Sequence, residues 1–346
     1  MLMSEKLEMS EKKNVNQQPQ DVMLQMIFGF WVSRITYAAA KLGIADILSD
    51  GAKSFDEIAT SVGAHAPSIY RLLRALASVG LLNEDDEKRF ALTPLGETLK
   101  SGAMRSFAIA ELGEDHFVAW GNLLHSVKTG EKAFDNIFGM PVWQYYAEHP
   151  ENGAIFNEAM TDLTLAVEAA VMEAYDFSPF EKIVDVGGGH GSFLASILKA
   201  NTRAQGVLFD APQVADGARA RFDAEGLTPR CEVVGGDFFK AVPEGGDLYA
   251  MKMILHDWDD EQCVAILRNC HRAMKENGKI AVVEMVVTPH DEPSPSKLID
   301  INMLVMTGGR ERTREEFASL FEAAGFKLSR VIQTSSPVSI VEGVRV

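Results

Sequence analysis

The sequence predicts an α/β protein in which a doubly wound, mostly parallel sheet follows a mostly helical N-terminal region. Three observations support this prediction. Residues 21–175 carry helical patterns almost throughout, whereas the chain from about Phe177 alternates short β-branched runs with helical stretches. The last two of these runs are separated only by residues 335–337, and such a short connection predicts an antiparallel last strand.

Length, composition and charge allow two domains and argue against several classes of partner. The chain has 346 residues, with 33 Lys and Arg against 49 Asp and Glu, which gives a formal charge of −16 at pH 7. This charge repels phosphate backbones and anionic membrane surfaces. Uninterrupted apolar runs are far shorter than the roughly 20 residues of a membrane-spanning helix. We therefore expect neither a nucleic-acid nor a membrane partner.

The N-terminal segment, residues 1–20, is polar. Lys and Glu stand where a secretory signal would place its apolar core. The composition predicts a disordered tail, and the protein is expected to be cytoplasmic. The three cysteines are too few for a disulfide framework and lack the spacing of a zinc site.

The segment 21–103 shows the element order of a winged helix. It begins with an apolar stretch, residues 23–48, which is apolar on nearly all sides and must therefore be covered, for example by another subunit. Ser54, with Glu57 three residues later, predicts the start of a helix. A second helix and a hairpin around the polar turn 83–89 complete the pattern.

Winged helices usually bind DNA, but the charge of this segment argues against that use. Between Asp21 and Ala103 there are eight basic and ten acidic residues, a net charge of −2. Residues 84–87 are all acidic, where a DNA-binding wing needs Lys or Arg. We predict that residues 21–103 serve dimerisation, and a DNA-binding regulator that senses a nucleoside remains the alternative from another class.

The sharpest local signal is the strand and glycine turn IVDVGGGHGSF, residues 183–193. The glycines, among them Gly187 and Gly189, let a ligand approach the backbone, and the following helix offers free N–H groups. The spacing G-x-G-x-G, with Asp185 two residues ahead, departs from the dinucleotide fingerprint G-x-G-x-x-G. Taken alone, such a turn is weak evidence for a binding site.

Two further strand ends carry groups that suit a nucleoside. Asp210 closes the second strand, where a carboxylate can accept both ribose hydroxyls. Gly236, Asp237 and Phe238 follow the third strand and combine a carboxylate with an aromatic face for an adenine ring. The loop carries no phosphate-binding G-K-[ST] lysine. Ribose and adenine sites without a pyrophosphate site, beside several carboxylates, predict S-adenosylmethionine as the cofactor.

The fourth predicted strand, Leu248–Leu255, runs into the segment HDWDDE. His256 lies at the C-terminal mouth of this strand, and a histidine that titrates near neutral pH suits a general base acting on a phenol or similar hydroxyl. Glu284 lies within the apolar fifth strand, where an ionised side chain requires a partner. We predict that His256 is that partner.

The acids after His256 allow a second interpretation, a metal cluster with Asp259, Asp260 and Glu261. A capping box explains them better, because Asp259 and Gln262 predict the start of a helix whose positive end favours acids. We therefore expect no metal. A Mg²⁺-assisted, catechol-type mechanism remains an alternative at this point.

These motifs, in this order, resemble the small-molecule O-methyltransferases of the caffeic acid and hydroxyindole type, in particular their bacterial members that tailor natural products. The resemblance covers nearly everything after residue 20 and rests on these segments: 185–191, 236–238, 252–258, Glu284 and 309–313. It implies a Rossmann-like class I methyltransferase domain at residues 176–346. It also implies a winged-helix-like dimerisation domain at 21–103 and a helical linker, 104–175, that roofs the substrate pocket.

The same resemblance implies roles for individual residues. His256 would be the base, with Glu284 and Glu311 beside it. The implied cofactor contacts are Gly187, Asp210, Asp237, Phe238 and Lys252. The implied substrate contacts are His116, Trp120, Phe156, Met160, Asp257, Asn302, Met303 and Met306.

Together these features predict an S-adenosylmethionine-dependent O-methyltransferase that acts on a hydroxyl of an aromatic or polyketide-like small molecule and works as a homodimer. The same scaffold can host N-methylation, or chemistry that retains the cofactor without transferring its methyl group. His256 together with Glu284 argues against the latter.

Overall fold

The computed structural model describes residues 18–346, which divide into two units at Leu112 and Gly113. Residues 1–17, most of the predicted tail, lie outside the described residues. The first helix begins at Pro19, inside the segment that the sequence analysis assigned to the tail. Proline favours this position because its φ is already helical and the first N–H of a helix has no partner to lose.

The first unit consists of helices around a small antiparallel sheet. Its helices are α1 (Pro19–Leu42), α2 (Ile44–Ile47), α3 (Phe55–Val62), α4 (Ala66–Ser78), α5 (Pro94–Glu97) and α6 (Arg105–Glu111). Its strands are β1 (Lys53–Ser54), β2 (Leu82–Glu84) and β3 (Arg89–Leu92), in the order β1-β3-β2. The predicted hairpin is confirmed by the pairing of β2 with β3, whereas the two-residue strand β1 was not predicted.

The predicted capping box starts α3. The Ser54 hydroxyl accepts a hydrogen bond from the Glu57 N–H at 3.3 Å, and the Ser54 N–H donates to the Glu57 carboxylate at 2.8 Å. Behind it, Ile58, Leu73 and Phe90 are fully buried and form the centre of this unit's core.

Helix α1 keeps a row of large apolar side chains exposed in the single chain: Met23, Leu24, Met26, Ile27, Phe28, Phe30, Trp31 and Val32. Within residues 18–346 it is the one helix long and apolar enough to cross a membrane, by length and composition alone. No uninterrupted apolar run of that length marks this helix in the sequence, because Ser33 and Arg34 interrupt it. An exposed apolar patch of this size on a helix is typical of an interaction surface.

The second unit is a seven-stranded sheet with helices on both faces. Its strands are β4 (Lys182–Val186), β5 (Gln205–Asp210), β6 (Cys231–Gly235), β7 (Leu248–Lys252), β8 (Lys279–Glu284), β9 (Phe326–Gln333) and β10 (Ser339–Arg345). Their order is β6-β5-β4-β7-β8-β10-β9. The first five are parallel, and β10 runs antiparallel to both of its neighbours. The predicted fold class is confirmed.

Ten helices of the second unit have the following bounds: α7 (Glu114–Gly121), α8 (Leu123–Thr129), α9 (Ala133–Phe138), α10 (Val142–Glu148), α11 (Pro150–Ala174), α12 (Ser192–Ala200), α13 (Pro212–Ala224), α14 (Asp260–Ala273), α15 (Ser296–Met306) and α16 (Arg314–Ala323). Alternate residues of β4 serve opposite faces of the sheet. Ile183 packs in one core with Leu194 of α12, and Val184 packs in the other with Ile266 of α14. A strand buried on both faces needs the near-continuous apolar run that the sequence shows.

The fourth strand is shorter than predicted. The apolar run predicts Leu248–Leu255, but β7 ends at Lys252, because Met253 takes a left-handed backbone with φ of +56° and residues 255–257 form a short 3₁₀ turn. The order of the strands reverses between β4 and β7, whose carboxyl ends therefore frame the crevice where open α/β sheets bind ligands.

Candidate active site

The glycine turn lies between β4 and α12 at this crevice. Gly187 has a φ of +73°, and a Cβ added there would lie 2.4 Å from Ile254 Cδ1. Gly189 has a φ of +57°, and an added Cβ would meet nothing within 4 Å. The loop is therefore packed on one side and open on the other, as a ligand approaching its backbone requires.

Asp210, at the end of β5, binds the glycine turn. Its Oδ2 accepts a hydrogen bond from the Gly189 N–H at 2.7 Å, and its Oδ1 accepts one from the Ala211 N–H at 2.6 Å. Burial raises the pKa of this carboxyl above its usual value, while these two donors favour the ionised form. Each oxygen keeps a second lone pair, so Asp210 can still accept the ribose hydroxyls that the sequence analysis assigned to it.

The segment after β6 holds the predicted adenine site. Gly236 donates its N–H to the carbonyl oxygen of Asp210 at 2.9 Å, which places the two segments side by side. The Asp237 side chain is exposed and pairs with Lys240 at 3.1 Å. Phe238 is half-buried, with its ring centroid 5.9 Å from that of Trp258. This puts an aromatic face next to the turn that carries His256.

Asp185 is buried next to the glycine turn, and its charge and that of the partly buried Lys252 attract each other. Burial raises the pKa of Asp185 to about 7, against the attraction of Lys252, and burial lowers the pKa of Lys252 to about 8, against the attraction of Asp185. Neither oxygen of Asp185 has a well-formed hydrogen bond within residues 18–346. A carboxylate of this kind, with Asp210 and the open side of Gly189, fits a cofactor that carries hydroxyls and a positive charge.

His256 lies in the 3₁₀ turn after β7 and is 6% exposed. Its Nδ1 lies 2.7 Å from Glu311 Oε1. Its Nε2 lies 3.8 Å from Asp257 Oδ1 and makes no hydrogen bond in the described part of the chain. With Nδ1–H donated to Glu311, Nε2 carries the lone pair and can accept a proton.

Glu284 contacts the same turn in a different way from the one the sequence predicts. Its Oε1 accepts three main-chain N–H groups, from Ile254 at 3.2 Å, Leu255 at 2.6 Å and His256 at 3.2 Å. The predicted pairing of Glu284 with the imidazole is therefore wrong. Glu284 binds the main chain of the turn, and Glu311 binds Nδ1 of the ring. Sequence reasoning identified a buried acid in need of a partner, but it could not show that main-chain donors supply it.

The buried acids determine the protonation of His256. Burial by itself lowers the pKa of the imidazole, but the charges of Asp257, Glu311 and Glu284 outweigh it and raise the pKa to about 9. Burial raises the pKa of Asp257 to about 6. A histidine with this environment is a strong base once its proton has left, and its availability rises with pH.

The residues predicted to contact the substrate lie on three helices and on the turn that carries His256. His116 and Trp120 are on α7, Phe156 and Met160 on α11, Asn302, Met303 and Met306 on α15, and Asp257 follows His256. Trp120 Nε1 donates to Asn302 Oδ1 at 2.7 Å, which joins α7 to α15. Met306 is buried with Phe134 and Val142, a packing role.

An aromatic cluster connects α10 and α11 to the turn that carries His256. The ring centroids of Trp143 and Phe156 are 5.5 Å apart, and those of Tyr146 and Phe156 are 4.9 Å apart. Trp143 also lies 6.4 Å from Trp258, two residues after His256. Stacked and edge-on rings at these distances offer flat apolar surface near His256.

The segment 309–312 was identified only by resemblance, and the structure places Gly309, Glu311 and Arg312 against the turn that carries His256. A Cβ added at Gly309 would lie 1.9 Å from the carbonyl oxygen of His256. Arg312 is completely buried, whereas Arg310 keeps 44% of its side chain exposed. Nothing in the sequence distinguishes these two arginines.

The capping box at the start of α14 is confirmed. Asp259 Oδ1 accepts the Gln262 N–H at 2.8 Å, and Gln262 Oε1 accepts the Asp259 N–H at 3.4 Å. Within residues 18–346, no group of three or more His, Cys, Asp or Glu side chains is arranged to hold a metal ion.

We expect Gly187→Ala to destabilise the protein more than Gly189→Ala. Both variants force a side chain into a left-handed backbone, at a cost of about 1–2 kcal/mol. Only the new side chain of Gly187→Ala also collides with Ile254, the residue before the 3₁₀ turn 255–257. Thermal unfolding of the two variants without cofactor measures the difference, and equal melting temperatures would contradict it.

Known families and structures match this chain along most of its length. The O-methyltransferase domain matches residues 120–327, and the O-methyltransferase dimerisation domain matches residues 24–102. The phenazine O-methyltransferase PhzM of Lysobacter antibioticus is 47% identical over 324 residues, which are 93% of this chain and 95% of that protein.

Solved structures agree. The crystal structure of LaPhzM has a TM-score of 0.92 and 46% identity, covering 95% of this chain and 100% of that one. Human N-acetylserotonin methyltransferase in complex with S-adenosylmethionine has a TM-score of 0.88 and 26% identity, covering 96% of this chain and 99% of that one. The chain therefore belongs to the O-methyltransferase family, and S-adenosylmethionine is its methyl donor.

Proposed function

We propose that this enzyme methylates a hydroxyl of an aromatic small molecule and that His256 takes the hydroxyl proton. The observation that carries the proposal is the buried pair of His256 and Glu311, whose Nδ1 and Oε1 are 2.7 Å apart. This bond fixes the tautomer in which Nε2 is the free base. A base is needed because a neutral phenol is a poor nucleophile.

The cofactor site uses the carboxyl ends of four strands, β4 to β7. When bound, S-adenosylmethionine supplies a methyl group on a positively charged sulfur, already activated for transfer. Asp210 would accept its ribose hydroxyls, Asp237 and Phe238 would bind its adenine, and the open side of Gly189 would let it approach the backbone. Asp185 and Lys252 would set the charge beneath the glycine turn.

Each acid around His256 has its own task in this proposal. Glu311 accepts the hydrogen bond from Nδ1–H and stabilises the charged imidazole after Nε2 has taken the proton. Glu284 holds the main chain of the turn through three N–H groups. Asp257 adds a further negative charge beside Nε2. The remaining task, alignment of the acceptor oxygen with the methyl group, depends on the rigidity of this turn.

The aromatic cluster favours an acceptor with an aromatic ring. Trp143, Phe156 and Trp258 present ring faces and edges near the base. The side-chain oxygen of Asn302 is already bound to Trp120, so its NH₂ is the group available to a substrate. We propose an acceptor with a hydroxylated aromatic ring and a second group that accepts a hydrogen bond.

A screen of hydroxylated aromatic compounds with trideuteromethyl S-adenosylmethionine tests the proposal. We expect one acceptor class to gain a single labelled methyl group on oxygen, as read by mass spectrometry and fragmentation. The matching methoxy compounds, which lack the free hydroxyl, serve as controls and should gain nothing. Label on nitrogen, or no labelled product from protein that binds S-adenosylhomocysteine by calorimetry, would contradict the proposal.

We also propose that α1 forms the interface of a homodimer. Its exposed apolar row, apart from Met23, lies within the matched dimerisation domain, residues 24–102. Charges introduced by Met26→Glu with Ile27→Asp should separate the subunits, because burying them unpaired is costly.

Light scattering after size-exclusion chromatography measures this effect. We expect a dimer for the unchanged protein and a monomer for the double variant. Leu298→Asp, a change of an equally exposed apolar residue on α15, is the control and should leave the dimer intact. A double variant that remains dimeric would contradict the proposal.

A further inference from the structure

The turn that carries His256 has an irregular backbone that needs outside support. Met253, the residue after β7, has a left-handed backbone with φ of +56°, which residues other than Gly rarely adopt. Residues 255–257 form a single 3₁₀ turn. Main-chain N–H and C=O groups in such a segment lack the regular partners of a helix or strand. When they are buried, side chains or other groups must supply their hydrogen bonds.

The two sides of this turn are bound by different side chains. Glu284 takes the N–H groups, as described above. Arg312 takes the carbonyl groups: its Nη1 donates to the Leu255 oxygen at 2.9 Å, and its Nη2 donates to the Trp258 oxygen at 2.8 Å. These two carbonyls bracket His256. A carboxylate and a guanidinium thus hold opposite edges of the catalytic turn.

The guanidinium of Arg312 is fully used. Besides the two turn carbonyls, it donates from Nη1 to the Arg310 oxygen at 3.2 Å, and from Nε at 3.1 Å and Nη2 at 2.9 Å to Asp260 Oδ1. These five bonds match the five N–H donors of the group. Lysine carries the same charge but cannot form such a planar fork.

Arg312 also joins the turn to the partner of His256. Glu311 is the preceding residue in the chain, and its carboxylate binds Nδ1 of the imidazole. Gly309 touches the turn main chain so closely that a Cβ would lie 1.9 Å from the His256 oxygen. The bonds of Arg312 therefore set the register between the segment that carries Glu311 and the turn that carries His256.

We propose that Arg312 is a positioning residue for methyl transfer, which holds the His256 turn and the Glu311 segment in the register that the base requires. This inference rests on the proposed role of His256 as the base. It assigns Arg312 no contact with substrate or cofactor.

The test compares Arg312→Lys with Arg310→Lys. Arg310 is the matched control, because its side chain also pairs with Asp260, at 2.7 Å, but is 44% exposed and makes no hydrogen bond to the turn within residues 18–346. We expect Arg312→Lys to bind S-adenosylhomocysteine with unchanged affinity and to lose kcat by about 100-fold, the scale of a misplacement near 1 Å. Arg310→Lys should keep wild-type kcat.

A proton NMR signal gives a readout that needs no acceptor. The Nδ1–H of His256, in a short bond to a carboxylate, should appear far downfield, and its loss in His256→Ala assigns it. We expect the signal to disappear or move upfield in Arg312→Lys and to remain in Arg310→Lys. An unchanged signal together with an unchanged kcat would overturn the proposal.

Asp260→Asn covers the case in which Arg312→Lys does not fold. This variant weakens the bonds of Arg312 to Asp260 but leaves its bonds to the Leu255 and Trp258 carbonyls. We therefore expect a smaller loss of kcat than in Arg312→Lys, together with a shifted NMR signal. A loss of cofactor affinity and melting temperature in parallel with kcat would overturn the proposal, since it indicates a merely structural role. If the unchanged protein methylates no acceptor, the proposed function fails, and the NMR comparison still decides the role of Arg312.

Discussion

His256→Ala removes nearly all methyl transfer, with an expected loss of about 10³-fold in kcat, since general-base catalysis typically contributes that much. The imidazole Nε2 is the free base of the buried pair with Glu311. Without it, the acceptor hydroxyl keeps its proton and remains a poor nucleophile. Single-turnover assays with labelled S-adenosylmethionine measure the loss.

The control for this variant is His125→Ala. His125 also has a carboxylate neighbour, with its Nε2 3.3 Å from Glu131, but that carboxylate is largely exposed. We expect full activity from it, and from His256→Ala an unchanged affinity for S-adenosylhomocysteine. Substantial activity in His256→Ala would show that another group takes the proton.

Glu311→Gln should lower the rate and shift its dependence on pH. The imidazole can act only when neutral, and the surrounding carboxylates raise its pKa to about 9 although burial opposes them. In the unchanged protein the rate therefore rises with pH towards about 9. Removing the Glu311 charge lowers the pKa of His256, so the rise occurs at lower pH, while the plateau falls by about 10²-fold because the charged imidazole is less stabilised.

A series of rates from pH 6 to 10, at saturating cofactor, measures both effects. Glu315→Gln is the control, because Glu315 is an exposed acid close in sequence with a distant partner, Arg314, at 3.9 Å. It should reproduce the unchanged profile. A Glu311→Gln profile with the original inflection would contradict the assignment of Glu311 as the imidazole's partner.

Much of the fold is predictable from the sequence because it depends on local patterns. Alternating strands and helices predicted the sheet, and the short connection at residues 335–337 predicted its antiparallel end. Both capping boxes form from residues three apart, Ser54 with Glu57 and Asp259 with Gln262. The end of β7 was not predictable, because residues 253–255 are apolar and the bonds that hold the turn come from Glu284 and Arg312, which are distant in the sequence.

The site was predictable in its residue types and less so in its connections. A buried acid at Glu284 called for a partner, and the partner is the main chain, which sequence does not display. Arg310 and Arg312 look alike in the sequence, and only the fold buries the second. Trp120 and Asn302 are 182 residues apart, so no local pattern links them.

The dependence of the rate on the acidity of the acceptor tests whether His256 is the base. Rates of the unchanged enzyme and of His256→Ala are compared over phenols that bind similarly but differ in pKa, at one pH. If His256 is the base, the variant should lose most activity with phenols that remain protonated and regain it with phenols that are already ionised. An equal loss across the whole series would contradict this role, because His256 would then serve the reaction in some way other than by removing a proton.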